Sequence, residues 1–452
     1  MPTKLKAKTI SKSVRREGED KKQVSNVRKL ILIRSMKKIR FTILMIVLVL
    51  TGLRLNAQSN PGDQVLGQDL EYNVISTAVP FMIIAPDARS SALGDCGVST
   101  SPDVYSMHWN PAKYAFIEED FSVGLAYSPW LRNLVPDMNI AYLGISKRVS
   151  PKSAIAGTLR YFSLGDIIFT EDGTNQATYS PNEWAVDFTY SRKLGDYISG
   201  AVAGRFIYSN LTQGVVDYSK PAISVAADVS VYYTREVYWF NNLDAVFSWG
   251  VAVTNIGSKM TYNDASMKKD FIPTNLRLGP SLKLDIDDFN SFTFTFDVNK
   301  LLVPTPPIYE RSDDGSIVID ENGEPLIAEG MSNDVGLVQG MIQSFYDAPG
   351  GFSEEIKEFT IGLGTEYWYN ETFTVRAGFF HEAKMKGNRR YLTLGAGLRY
   401  NVFGLDVSYL VPVNNTATSG TNPLENTLRF SLTFNLDKWG DSDTKLEKTP
   451  QR

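Results

Sequence analysis

Thiols and imidazoles are nearly missing from this sequence: its 452 residues include one cysteine, Cys96, and two histidines, His108 and His381. A lone cysteine excludes an internal disulfide, and two imidazoles are too few for a histidine-built metal cluster. Cys96 therefore reads as structural, and the histidines as hydrogen-bonded or surface side chains. Beyond residue 57 there is no apolar run of transmembrane-helix length, so any membrane contact there must be made by strands. Also lacking are a glycine-rich phosphate loop, zinc-ligand spacing and a convincing nucleophile-base constellation. Catalytic, cofactor and metal sites are accordingly not expected. Past Ala57 the chain is short of basic residues, with 31 Lys and Arg against 47 Asp and Glu, hence a charge near −16. That balance argues against a nucleic-acid partner.

What the sequence does contain suits pleated surfaces and turns: 22 Tyr and 24 Phe, with much Thr, Gly and Asn. From Met36, Lys37, Lys38 and Arg40 precede an apolar stretch from Phe41 to Leu53 that ends near Ala57, the layout of a secretory signal peptide over 36–57. Residues 1–35 are basic and unpatterned, and read as an extension from a misassigned start. The chain then divides into an N-terminal segment, 58–120, a barrel region, 121–436, and a polar tail, 437–452.

Fourteen segments beyond residue 120 alternate apolar with small or polar residues. They lie near 121–131, 138–149, 153–170, 183–194, 198–211, 223–237, 245–257, 275–286, 291–303, 358–370, 373–383, 390–401, 403–413 and 426–436. In the last, Leu428, Phe430, Leu432, Phe434 and Leu436 share one face, and Arg429, Ser431, Thr433 and Asn435 the other. Alternation alone fits a soluble sandwich as well as a membrane barrel. Connection lengths help to decide between them. Short links alternate without a break with mostly longer ones, and aromatic residues such as Tyr367, Trp368 and Tyr369 cluster at strand ends. The expected fold is all-β: a transmembrane antiparallel β-barrel of about 14 strands in the bacterial outer membrane, with loops extracellular and both termini periplasmic. Luminal Asp187, Asp297 and Ser408 are expected to satisfy one another across the interior.

Two segments are candidates for function. Residues 58–120 carry turn chemistry at Pro86-Asp87, Gly94-Asp95 and Asn110-Pro111, and read as a hatch folded into the lumen or a periplasmic arm. The longest connection, 304–357, opens with Pro304, Pro306 and Pro307 and closes with Pro349-Gly350-Gly351. Loops of this length are usually functional or disordered. Its stretch from Met331 to Phe345 suits a short amphipathic helix, with Val335, Val338, Ile342 and Phe345 as apolar contacts for a partner or for neighbouring loops. The acidic residues Asp313, Asp314, Asp320, Glu321 and Glu324 lack an EF-hand pattern and read as solvated surface.

The motifs Asp87-Ala88-Arg89-Ser90-Ser91-Ala92-Leu93-Gly94 and His108-Trp109-Asn110-Pro111-Ala112, followed by Pro129-Trp130-Leu131, carry a resemblance to a known group. With the strand pattern they make the chain resemble the PorV family, also called LptO, an outer-membrane component of the type IX secretion system of Bacteroidota, and more broadly the FadL-like barrels. The resemblance implies a non-catalytic carrier. It would bind the large translocon barrel, receive cargo with a C-terminal signal domain, and pass it to a sortase and the other attachment-complex proteins, all within outer-membrane lipid. One departure is the charged tail after Leu436, which places the barrel's insertion signal internally, around Phe434. Two other readings stand beside this one. A FadL-type channel for hydrophobic small molecules needs an apolar luminal pocket, and an outer-membrane hydrolase needs His381 at the barrel rim.

Overall fold

A computed structural model describes residues 73–436, apart from 132–134, 136, 172–173, 212–218, 240–242, 264–268, 322 and 414–426. The expected signal peptide, the extension before it, the tail, and parts of the loops at 212–222 and 414–425 lie outside the described residues.

Fourteen antiparallel strands close into one barrel. In chain order they are β1 (Phe121–Pro129), β2 (Asn139–Ser150), β3 (Ser153–Ser163), β4 (Asn182–Lys193), β5 (Ile198–Asn210), β6 (Ala222–Trp239) and β7 (Leu243–Gly257). They continue as β8 (Asn275–Asp285), β9 (Asn290–Leu301), β10 (Thr360–Tyr369), β11 (Phe373–His381), β12 (Arg390–Tyr400), β13 (Phe403–Pro412) and β14 (Leu428–Asn435). Each strand pairs with its sequence neighbour, and β1 pairs with β14, with Leu125 opposite Leu432. Closure leaves no unpaired sheet edge in the wall.

The two faces are inverted relative to a soluble protein. Val202, Val225, Phe188 and Phe294 stand 62%, 61%, 59% and 50% exposed on the outer wall, while Ser191, Thr189, Asp297, Arg429 and Ser431 are buried inside. An apolar exterior around a polar interior is the arrangement that lipid demands of a barrel. No helix among the described residues is long and apolar enough to cross a membrane. Connections alternate as the sequence suggests: 151–152, 194–197, 240–242, 286–289, 370–372 and 401–402 at one end, and longer loops at the other. Asn370 and Glu371 hold one short turn at φ 52° and 51°, the left-handed region that asparagine tolerates better than most residues.

One strand ends earlier than its alternation suggests. The segment expected over 153–170 leaves the wall at Ser163, and Gly165, at φ +82°, turns the chain out. Ile167–Glu171 then pairs with Thr174–Tyr179 as a separate hairpin at the long-loop end. The long loop also carries structure: Ile308–Tyr309 pairs with Ile327–Glu329, and a helix, α1, spans Leu337–Gln343.

Candidate functional site

Residues 78–117 lie inside the barrel, built from short helices and turns. Their side chains meet the wall through hydrogen bonds and ion pairs and through apolar clusters, such as Phe81 and Met82 against Ile140, Phe162 and Ile207. Asp87 caps Ala88–Ser91, one carboxylate oxygen accepting from Ser90 N at 2.8 Å. Its other oxygen accepts from Trp109 Nε1 at 2.7 Å, which ties the two halves of the segment together. Burial and the nearby Asp103 raise the pKa of Asp87 to about 6. The Ala88 amide donates to Ser431 Oγ of β14 at 2.8 Å. Asn110 donates from its side-chain amide to the carbonyls of Val98 and Val231, and its Oδ1 accepts from Ala112 N at the start of the turn opened by Pro111.

Arg89 starts a chain of charges. It reaches Asp103 at 3.1 Å and Glu366 of β10 at 3.0 Å. Glu366 also takes Arg376 of β11 at 2.5 Å, Arg376 takes Asp406 of β13 at 2.7 Å, and Asp406 takes Arg399 of β12 at 2.7 Å. Three arginines thus alternate with three carboxylates around one side of the interior, the pairing that buried charges require. Across the barrel Arg205 pairs with Asp187 and Asp228. The luminal Asp187, Asp297 and Ser408 do not satisfy one another as expected. Asp187 binds Arg205 and Thr158, Asp297 accepts the amides of Gly97 and Val98 at 2.7 and 2.9 Å, and Ser408 Oγ has no partner in the structure. The inserted segment supplies acceptors and donors that the wall alone lacks.

Luminal glycines give that segment room. A Cβ on Gly378 would fall 2.1 Å from Gly94 N, one on Gly250 2.2 Å from the Val98 carbonyl oxygen, and one on Gly395 2.4 Å from the Ala92 Cβ. Gly94 itself, at φ +72°, turns between the backbones of β10 and β11 and donates to Thr393 Oγ1. Tyr105 crosses the closing seam, its hydroxyl 2.9 Å from the carbonyl oxygens of both Leu125 and Leu432. Cys96 is buried beside the Gly94 carbonyl, and burial raises its thiol pKa well above the usual value.

Thus Asp87, Ala88, Arg89, Gly94, Trp109, Asn110 and Pro111, singled out as two separate motifs, converge on one clamp between the inserted segment and the wall. The sequence reading missed their wall partner Glu366 and the Arg376, Asp406 and Arg399 that continue its chain of charges.

His108 is buried between Arg160, whose Nη2 lies 2.7 Å from Nδ1, and Arg277, whose Nη2 lies 3.2 Å from Nε2. Burial and then the two guanidiniums hold its pKa well below 6.5. An unfolded chain therefore takes up a proton below about pH 6.5 that the folded one refuses, so this contribution is present above that pH and lost as pH falls. Asp87 acts in the opposite sense: its contribution is complete below pH 3.8 and lost as pH rises through about 6. Comparison with a variant separates the two. Between pH 7.5 and 5.5 the native protein should lose about 1 kcal/mol more unfolding free energy than His108→Gln; equal losses in reversible urea unfolding would place the imidazole in water.

At the long-loop end a second network holds the 302–359 connection. Lys300 meets Glu358 at 2.5 Å and Glu355 at 3.4 Å, and Lys386 meets Glu354 and Glu358 at 2.5 and 2.9 Å. Gly340 of α1 packs on Phe271, and Gln343 is buried against the Ser332 carbonyl at 2.8 Å. With that face fixed, Val338, Ile342 and Phe345 point outward, 66%, 60% and 46% exposed, and Val335 before the helix is half-buried. His381 ends β11 stacked near Phe379, with ring centroids 6.4 Å apart.

No curated protein matches the chain in sequence. Solved structures similar to it include the CymD monoaromatic hydrocarbon channel, at 12% identity and TM-score 0.42, covering 78% of this chain and 98% of that one. The Pseudomonas putida toluene transporter TodX is 11% identical with TM-score 0.42, covering 77% and 98%. A Pseudomonas aeruginosa FadL homologue is 11% identical with TM-score 0.37, covering 80% and 99%. At such identities and scores they say nothing about what this barrel binds. The family model described as type IX secretion system protein PorV matches residues 67–308, more than half of the chain. With its closed fourteen-stranded wall and its clamped interior, the chain belongs to the PorV family of outer-membrane type IX secretion proteins.

Proposed function

We propose that this protein is the shuttle of the secretion system, binding the C-terminal signal domains of cargo at the large translocon barrel and delivering them to the sortase and attachment complex at the cell surface. The long loops then face the outside and both termini the periplasm, after removal of a signal peptide at 36–57. The observation that carries this reading is the filled interior. Residues 78–117 are bonded to the wall from β1 round to β14, so a protein cargo has no conduit and must be held at the loops. The exposed apolar face of α1, on a loop braced by Lys300 and Lys386, suits such a contact. Exposed apolar side chains on an ordered support are typical of binding surfaces. The motif residues Asp87, Ala88, Arg89, Gly94, Trp109, Asn110 and Pro111 act by fixing the plug, not by touching cargo.

Affinity capture from native membranes in mild detergent, followed by mass spectrometry, tests this. The native protein should retain a very large barrel, a sortase-like protein and exported proteins sharing a C-terminal domain. The double variant Val338→Glu/Ile342→Glu should fold normally, because both side chains are exposed, and lose at least tenfold of the retained cargo. Recovery of the native barrel with bound lipid and no such proteins would favour the FadL-type channel for hydrophobic small molecules.

A further inference from the structure

On β10 to β13 the outward side chains at the short-turn end are aromatic: Tyr369, Phe373, Tyr400 and Phe403 all stand exposed. Such a ring suits the depth at which hydrocarbon gives way to headgroups. Strands β2 to β4 depart from it. At the same end they carry two outward, exposed cations, Lys147 and Arg192, and among the described residues neither has a carboxylate within ion-pair distance.

The register sets the geometry around them. Lys147 lies opposite Ile155, Ile155 opposite Tyr190, and Ser153 opposite Arg192. Lys147 and Tyr190 therefore stand two strand spacings apart, about 10 Å, on either side of β3. The Tyr190 hydroxyl interacts with Ser153 and with Arg192, which fixes that guanidinium beside β3. Two residues further up β3, Gly157 lies between Ile145 and Phe188, both exposed. A Cβ on Gly157 would meet only the Asp187 carbonyl oxygen, at an ordinary 3.5 Å. Gly378 and Gly395 are small because another part of the chain presses on them; Gly157 faces outward, and its missing side chain leaves a furrow in the outer wall that leads down to the two cations.

We propose that this furrow holds one anionic glycerophospholipid, its phosphodiester accepting from Lys147 and Arg192 and one acyl chain lying over Ile155 and Gly157 between Ile145 and Phe188. Two cations without counter-carboxylates favour a headgroup of net negative charge over a zwitterionic one, whose ammonium offsets its phosphate. The apolar flanks favour a lipid over free phosphate. With the long loops outside, this end of the barrel lies in the periplasmic leaflet. The inference needs only a barrel in a bilayer and stands apart from the shuttle reading.

Native mass spectrometry of the purified protein in detergent tests this, with dioleoyl phosphatidylglycerol, dioleoyl phosphatidylcholine or inorganic phosphate added. Phosphatidylglycerol should saturate at one tightly held copy, with phosphatidylcholine at least tenfold weaker and excess inorganic phosphate unable to displace it. The double variant Lys147→Gln/Arg192→Gln changes only exposed side chains, so it should fold and lose at least tenfold in phosphatidylglycerol affinity. Lys283→Gln, at the same end on β8, should bind as the native protein does. Gly157→Leu keeps the charges and fills the furrow, and should bind at least threefold more weakly. Equal retention of the two lipids, displacement by phosphate, undiminished binding by the double variant or by Gly157→Leu, or an equal loss in Lys283→Gln would each overturn the proposal.

Discussion

A single added side chain at Gly378 should detach the inserted segment from the wall: Gly378→Val is expected to lower unfolding free energy by about 3 kcal/mol, the upper part of the usual range for overpacking. The atoms in the way are backbone, Gly94 N at 2.1 Å and Leu93 C at 2.3 Å from the new Cβ, so no rotamer change relieves the collision. Gly94 cannot step aside easily, because it sits at φ +72° and donates to Thr393 Oγ1. The wall has its own ladder of strand pairs, so it should persist while the segment moves. In planar lipid bilayers the native protein should be electrically silent and Gly378→Val should conduct ions. Equal melting and equal silence for the two would mean that the segment is not held against β11.

Loss of the carboxylate at Glu366 should be costlier. Glu366→Ala leaves Arg89 and Arg376 facing each other in the interior with Glu366, their shared partner, gone. Removing one member of a buried charged set typically costs about 3–5 kcal/mol, since the remaining charges stay buried. Arg376 keeps Asp406 and Arg89 keeps Asp103, so the fold should survive with a lower midpoint in denaturant. Adding Arg89→Met to Glu366→Ala should recover part of the loss, because one uncompensated guanidinium is removed with it. Strict additivity of the two substitutions would show that they do not interact.

The barrel was legible in the sequence because its rule is local. Leu428 and Phe430 face outward and Arg429 and Ser431 inward for no reason beyond alternation, and all fourteen strands could be placed by it. The misplaced end at Ser163 has the same origin: the hairpin of 167–171 with 174–179 is itself β-structure, and only its pairing partner sets it apart from the wall. Some interior pairs were within reach as well. Glu366 lies directly opposite Arg376 across the turn at 370–372, and Asp187 opposite Arg205 across 194–197. Contacts of the inserted segment were not, because Arg89 and Glu366 are 277 positions apart and no periodicity connects them. The luminal glycines were beyond reach for a related reason. Gly364, Gly378 and Gly395 mark where the inserted segment comes close, which no local pattern signals. For α1, the amphipathic pattern located Val338 and Ile342, but which way they point was fixed by Gly340 against Phe271 and by buried Gln343.

The Tyr105 hydroxyl, shared between the carbonyls of Leu125 and Leu432, has a consequence for assembly. The early part of the chain receives its last hydrogen bonds only when the final strand arrives, more than 300 positions later. Until then the Ala88 amide and one bond of the Tyr105 hydroxyl lack their partners, and the half-built sheet has two open edges. Contacts so distant in sequence form slowly. The nascent chain therefore has a long interval in which its inserted segment must be sheltered, and the same event that seals the wall also locks the contents in place.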